Sequence, residues 1–391
     1  MREEALRTLR AVIETPSRVY QRHHPAWDRA ILSAGWVGLY LTCDVSMSTY
    51  PALEGTPLPA PWRALVAALL FVAGLWQPAA SYLGFMLAMA YPVYLVSPYL
   101  AILGASALLL SAPLVARAEW ETPGDGRRGT RSGTGGFSMA LLVLASPLLT
   151  QVGLAPLLPL VAGLWWGTAP GAATGVLAAL WLKMCAGMAG HSLDLGTLHR
   201  WRMSLAPVYA RFHAAGALQT VAELVAPFWS GPAGTGGVEM GPTVTLPLAS
   251  WGPGVQHLLF HALQVGAWGM AGYLVGAIRR WLAGQGVRAP LRSLGVALKW
   301  SALSLGPGLL ALWAGDAGVP AWLQRADVAG LGSAARVGPL LLAGLAAWGV
   351  DAVVRYLGQP VAAKDGRRRA MQGRKKRSPA AGEGIIMLEL D

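Results

Sequence analysis

Two tracts of the chain contain no Asp, Glu, Lys or Arg: Ala64–Ala116, 53 residues, and Ser132–Leu182, 51 residues. A soluble domain breaks its apolar runs with charge, because one face of each helix or strand meets water. A bilayer has the opposite requirement, about 20 mostly apolar residues for every crossing helix. The pattern therefore predicts an all-α integral membrane protein, with about ten transmembrane helices in two halves and several of them broken by Pro or Gly.

Taken in order, residues 1–29 read as a cytoplasmic arm. Leu6, Leu9, Val12 and Ile13 on one side of residues 2–14 suit an amphipathic helix lying on the lipid surface; a solvated arm fits as well. Residues 30–116 form a first half of about four spans. The first is roughly 30–50 and carries Asp44. Helix breaks are expected at Gln77-Pro78 and Ser97-Pro98, which gives spans near 62–77, 79–96 and 99–116. Residues 117–136, with Arg127, Arg128 and Arg131 among Gly, Ser and Thr, read as a cytoplasmic linker.

Residues 137–358 form a second half of about six spans, with 191–253 the ambiguous part. The run to Leu182 allows two crossings or three, with a broken helix near Gly163–Gly171. Residues 216–229 read as a weak crossing or a helix on the membrane surface. The Gly/Pro/Thr loop 231–254 has no Lys or Arg and is expected outside. Crossings at 257–278, 294–313 and 337–357 follow, with Arg279, Arg280, Arg288 and Arg292 holding their loop inside. Residues 359–391 are a basic cytoplasmic tail ending in the apolar-acidic peptide Ile385–Asp391. The predicted localisation is the plasma (inner) membrane, multi-pass, with both termini cytoplasmic.

Composition agrees with this reading. Only 13% of residues are charged, where soluble domains carry about 25%. The formal charge of +12 is then explained by loops held on the cytoplasmic side, and nucleic acid is not an expected partner. The abundance of Ala, Gly, Pro and Arg suggests a bacterial source. Cys43 and Cys185, both in apolar segments, exclude a disulfide framework. No cleavable signal peptide is expected, since six arginines precede the first apolar run. The pentapeptide VAGLW occurs at 72–76 and 161–165, but the surrounding residues do not repeat.

Ionisable groups inside a bilayer cost about 2.5–3.5 kcal/mol each on insertion scales and mark candidate sites. Asp44, Lys183 and Glu223 are the ligand-path candidates, and Asp44 is expected to pair with Lys183 or line a polar cavity. Lys299 and Asp351, near helix ends, are expected to snorkel to the interface. His257 and His261 lie one helical turn apart, the spacing of metal or haem ligands, but Leu258 stands where a zinc protease needs Glu. A solvated polar face is the simpler account of the pair. His191, Asp194 and His199 form another polar group, in which Ser192 or Asp194 caps the next helix. No nucleophile elbow, phosphate loop or dinucleotide fingerprint is present, so no enzyme chemistry and no cofactor is predicted.

The tail residues Arg367, Arg368, Arg369, Arg374, Lys375, Lys376 and Arg377 suit contact with anionic lipid headgroups or a partner. Leu157–Leu182, under a tenth of the chain, resembles the glycine-punctuated helices of substrate-capturing subunits of vitamin importers and carries no diagnostic residue. Two roles follow from the whole pattern. One is a transporter, or a membrane subunit of a small-solute transport system. The other is a non-catalytic anchor or scaffold that binds other membrane or cytoplasmic subunits through its arm, linker and tail.

Overall fold

The computed structural model describes residues 26–47, 50, 58–117, 135–191, 193–200, 205–230, 253–284, 294–319 and 333–357. The arm up to residue 25, nearly all of the linker, the 231–252 loop and the basic tail lie outside the described residues. Among the described residues every regular element is helical. Four helices are long and apolar enough to cross a membrane: Ala26–Met47 (α1), Pro78–Val96 (α3), Thr168–Met188 (α7), and Leu258–Leu282 within Pro253–Gly284 (α10).

The first helices end where proline chemistry requires. Ala60–Trp76 (α2), α3 and Pro98–Arg117 (α4) meet at Gln77 and Ser97. Both residues are extended, with φ of −143° and −161°, because a following proline ring disfavours the helical conformation. Each still donates its backbone N–H to the preceding helix, Gln77 to Ala73 and Ser97 to Val93. Proline then starts the next helix, where its missing N–H has no intrahelical partner to lose. These helices pack on an aromatic centre. The Trp36 ring lies 5.5 Å from Tyr82, edge-on, and 5.2 Å from Phe85.

The second unit starts with Gly135–Gln151 (α5) and turns at Gly153 into Leu157–Trp166 (α6). Ten residues rise only about 15 Å, half of a bilayer core. Gly167 then reverses the chain. Its φ of +91° belongs to a region that residues with a Cβ rarely adopt. Across the turn, a Cβ on Gly171 would stand 2.7 Å from the Gly163 Cα, so α6 and the start of α7 form a tight hairpin. The expected break near 163–171 is thus a reversal at one glycine.

The hairpin packs on α10, which runs antiparallel to α7. Gly167 meets Gly276, Gly171 meets Gly272 and Gly175 meets Trp268, each in backbone-to-backbone contact. Small residues permit this approach, which is how helices gain dispersion energy where lipid supplies no hydrophobic drive.

A 3-10 turn, Leu195–Arg200, follows α7, then two short helices, Leu205–Phe212 (α8) and Ala217–Ser230 (α9). At 14 residues α9 extends about 21 Å, too short to cross a core of about 30 Å. Leu294–Trp313 (α11) continues into a single π-helical turn, Ala314–Gly318, and Ser333–Leu357 (α12) closes the unit. Leu160, Leu164, Leu182, Trp268, Val275, Leu305 and Leu312 form its core.

Candidate functional site

Lys183 lies near the end of α7 and is fully buried. An ammonium group has three donors and no acceptor. Here they meet the Leu193 carbonyl at 2.7 Å, Gln264 Oε1 at 2.7 Å and His261 Nδ1 at 3.1 Å. The Phe260 ring centroid is 5.4 Å away. His261 accepts at Nδ1, so the neutral tautomer with its proton on Nε2 is the one that fits.

Gln264 joins this cation to the rest of the cluster. Its Oε1 also receives the Leu195 N–H, while Nε2 donates to Asp194 Oδ1 at 2.7 Å. The reversed amide would turn its NH2 against the ammonium, so Lys183 and Asp194 together fix its orientation. Asp194 takes Arg336 Nη2 on its other oxygen at 2.8 Å, with the two side chains 2% and 4% exposed. Arg336 Nη1 donates to the Asp316 backbone carbonyl at 2.7 Å, and Asp316 Oδ1 accepts the Trp268 indole N–H at 3.1 Å. One continuous polar layer therefore crosses the unit.

Asp194, Asp316 and Arg336 stand where regular helix stops or starts, while Lys183 and Gln264 lie within α7 and α10. Asp194 accepts the Gly196 N–H and so caps the 3-10 turn as expected, but it also holds the buried arginine. Asp316 lies in the π turn, an interruption that often marks functional positions. Beside it is a cavity of about 20 Å³, lined by Thr150, Gly153, Trp268, Asp316, Arg336 and Pro339 among others. That is room for one water.

A second layer lies at the opposite end of the same helices. Asp351 is fully buried, 2.6 Å from Ser301 Oγ and 3.7 Å from Arg279 Nη1. Nearby, Arg280 donates to Thr168 at the hairpin turn. Three elements contribute to both layers at one spacing: Gln264 and Arg279 on α10, Ser301 and Asp316 on α11 with its π turn, and Arg336 and Asp351 on α12. Fifteen residues separate each pair, about 22 Å along a helix axis.

Several sequence expectations need correction. Asp44 does not meet Lys183: its carboxylate pairs with Arg63 at 2.9 Å in the first unit. Glu223 pairs with Arg211, which also holds the Gly187 carbonyl, so it ties α8 and α9 to α7. Asp351 does not snorkel, whereas Lys299 is exposed. His261 is no solvated face: it is 5% exposed, and its Nδ1 faces a cation. The side chains of His257 and His199, and the basic cluster Arg367–Arg377, lie outside what is described. Among the described residues no group of three His, Cys, Asp or Glu could hold a metal.

Asp316, Arg336 and Trp268 were not singled out from sequence, because Asp316 and Arg336 fall just beyond the assumed span ends. A signal was available: Arg336 is the one charge between Arg325–Asp327 and Asp351, at the start of an apolar run. Comparison with protein-family models, with curated proteins and with solved structures finds no match to this chain.

Proposed function

We propose that this chain is a multi-pass membrane protein that moves a small solute, as a transporter or as the membrane subunit of a transport system. The observation that carries the reading is the layer Lys183–Gln264–Asp194–Arg336, which buries two cations and a carboxylate in one hydrogen-bonded network. Ionisable groups kept inside a bilayer are held there at a cost, and solute pathways are where that cost is usually met. In this reading α1–α5, α7, α10, α11 and α12 each cross, and α6, whose helix covers only about half of the core, makes the tenth passage together with the turn at 152–156. The Arg279–Asp351 layer faces the cytoplasm, and both termini lie on that side of a plasma membrane.

One observation favours the second reading, a non-catalytic anchor. The cavity at the layer has room for about one water, and neither Asp44 nor Lys183 lines it. A solid bundle suits a scaffold that binds partners through its arm, linker and tail. The two readings separate experimentally. Purified protein is screened for thermal stabilisation by panels of amino acids, sugars, nucleosides and carboxylates, and hits are followed as flux into proteoliposomes. Transport predicts saturable flux that Lys183→Met abolishes. Absence of flux, with a stoichiometric partner co-purifying through the tail, supports the anchor instead.

A further inference from the structure

We propose that the Asp316 carboxyl is a reversible proton-binding site, exchanging its proton through a single water in the adjoining cavity. The cluster's other carboxylate is fully engaged: Asp194 has Arg336, Gln264 and the Gly196 N–H. Asp316 is 2% exposed, and among the described residues its carboxylate takes only the neutral Trp268 indole N–H. The nearest guanidinium, that of Arg336, is bound to its backbone carbonyl instead, and no ion pair to the Asp316 carboxylate forms among the described residues. A carboxylate so placed is costly when charged, and taking up a proton removes that cost.

Among the described residues, few groups act on it from the packed elements. Asp194 precedes the 3-10 turn, Lys183 is on α7 and Arg336 is on α12. From α10 come Trp268 and Gln264, with His261 turned to Lys183; from α5 comes Thr150 at the cavity. A metal cation is a poor fit, because it needs several oxygen ligands and Arg336 lines the same small cavity. The proton needs only the carboxyl oxygen and one water.

The test is an infrared titration of the full chain in lipid vesicles, with no solute present, so it stands or falls apart from transport. A protonated-carboxyl C=O band should grow as pH falls, shift in D2O, persist in Asp44→Asn and vanish in Asp316→Asn. Trp268→Phe removes a hydrogen bond that favours the charged form, and so should raise the midpoint by about one pH unit, a tenfold gain in proton affinity. Asp316→Glu should retain a titrating band if Asp316→Asn fails to fold. No titrating band in the wild type overturns the proposal. So does a band that survives in Asp316→Asn, or a midpoint that moves with Na+ concentration at fixed ionic strength.

Discussion

Lys183 Nζ and Gln264 Oε1 lie 2.7 Å apart, joining α7 to α10 at a point where both side chains are fully buried. The contact matters beyond its own energy, because the same amide hands the interaction on to Asp194. Gln264→Leu leaves the ammonium with two acceptors and Asp194 with one fewer donor. It should destabilise the protein by about 1–3 kcal/mol, the cost of stranding buried polar groups. Lys183→Met removes the charge that Gln264 serves. The double mutant should therefore lose less than the sum of the singles, by about 0.5–3 kcal/mol in a denaturation cycle in detergent.

Asp44 gives the opposite result with the same partner. Its ion pair is with Arg63, 2.9 Å away, in the first helical unit. Asp44→Asn and Lys183→Met should add to within about 0.5 kcal/mol, as independent sites do. Asp44→Asn and Arg63→Met, in contact, should not add. The measurement is the same unfolding cycle, and coupling between Asp44 and Lys183 would contradict the assignment.

These two results mark what the sequence makes legible. Helix breaks at Pro78 and Pro98 follow from a local rule, since the ring acts on its own neighbour whatever the surroundings. The charge-free tracts likewise report composition and nothing remote. Pairing is different. Lys183 meets His261 and Gln264 only because small residues let α7 and α10 run antiparallel in contact, a register no single helix encodes. Gln264 lies one turn beyond His261, so their shared face was readable, but the cation they serve was not. Asp316 escaped because it lies just past the apolar stretch of α11, and the π turn that folds it back against Trp268 has no local sequence signature.

The glycine seam can be tested directly. A Cβ on Gly272 would collide with the backbone of Gly171, and neither helix can yield without separating the hairpin from α10. Gly272→Ala should cost at least the 1–3 kcal/mol typical of overpacking, roughly, and lower the melting temperature. Gly266 lies on the same helix with nothing within 4 Å of a built Cβ. Gly266→Ala should be neutral or slightly stabilising, since alanine is the better helix former by about 1 kcal/mol. Equal losses at the two positions would remove the close approach from the account of this fold.

The two polar layers differ in how tightly their ion pairs are held. Arg336 and Asp194 stand 2.8 Å apart and are almost wholly enclosed; Arg279 and Asp351 stand 3.7 Å apart, and the arginine is 24% exposed. Removing one partner of an enclosed pair strands the other in a medium that cannot solvate it, typically a loss of about 3–5 kcal/mol. An arginine with access to water is rehydrated instead, and Ser301 still donates to the Asp351 carboxylate. Cycles on Arg336→Met/Asp194→Asn and Arg279→Met/Asp351→Asn should therefore give the larger coupling at the first pair, while the second can open at lower cost. If solute passes through this protein, that inequality makes the Arg279–Asp351 end the one that yields first. With Cys43 and Cys185 replaced, a cysteine at the buried Ser304, one turn from Ser301 on α11, should then react with a small thiol reagent faster than one at the buried Thr150 beside the cavity, and equal rates would argue that neither end opens.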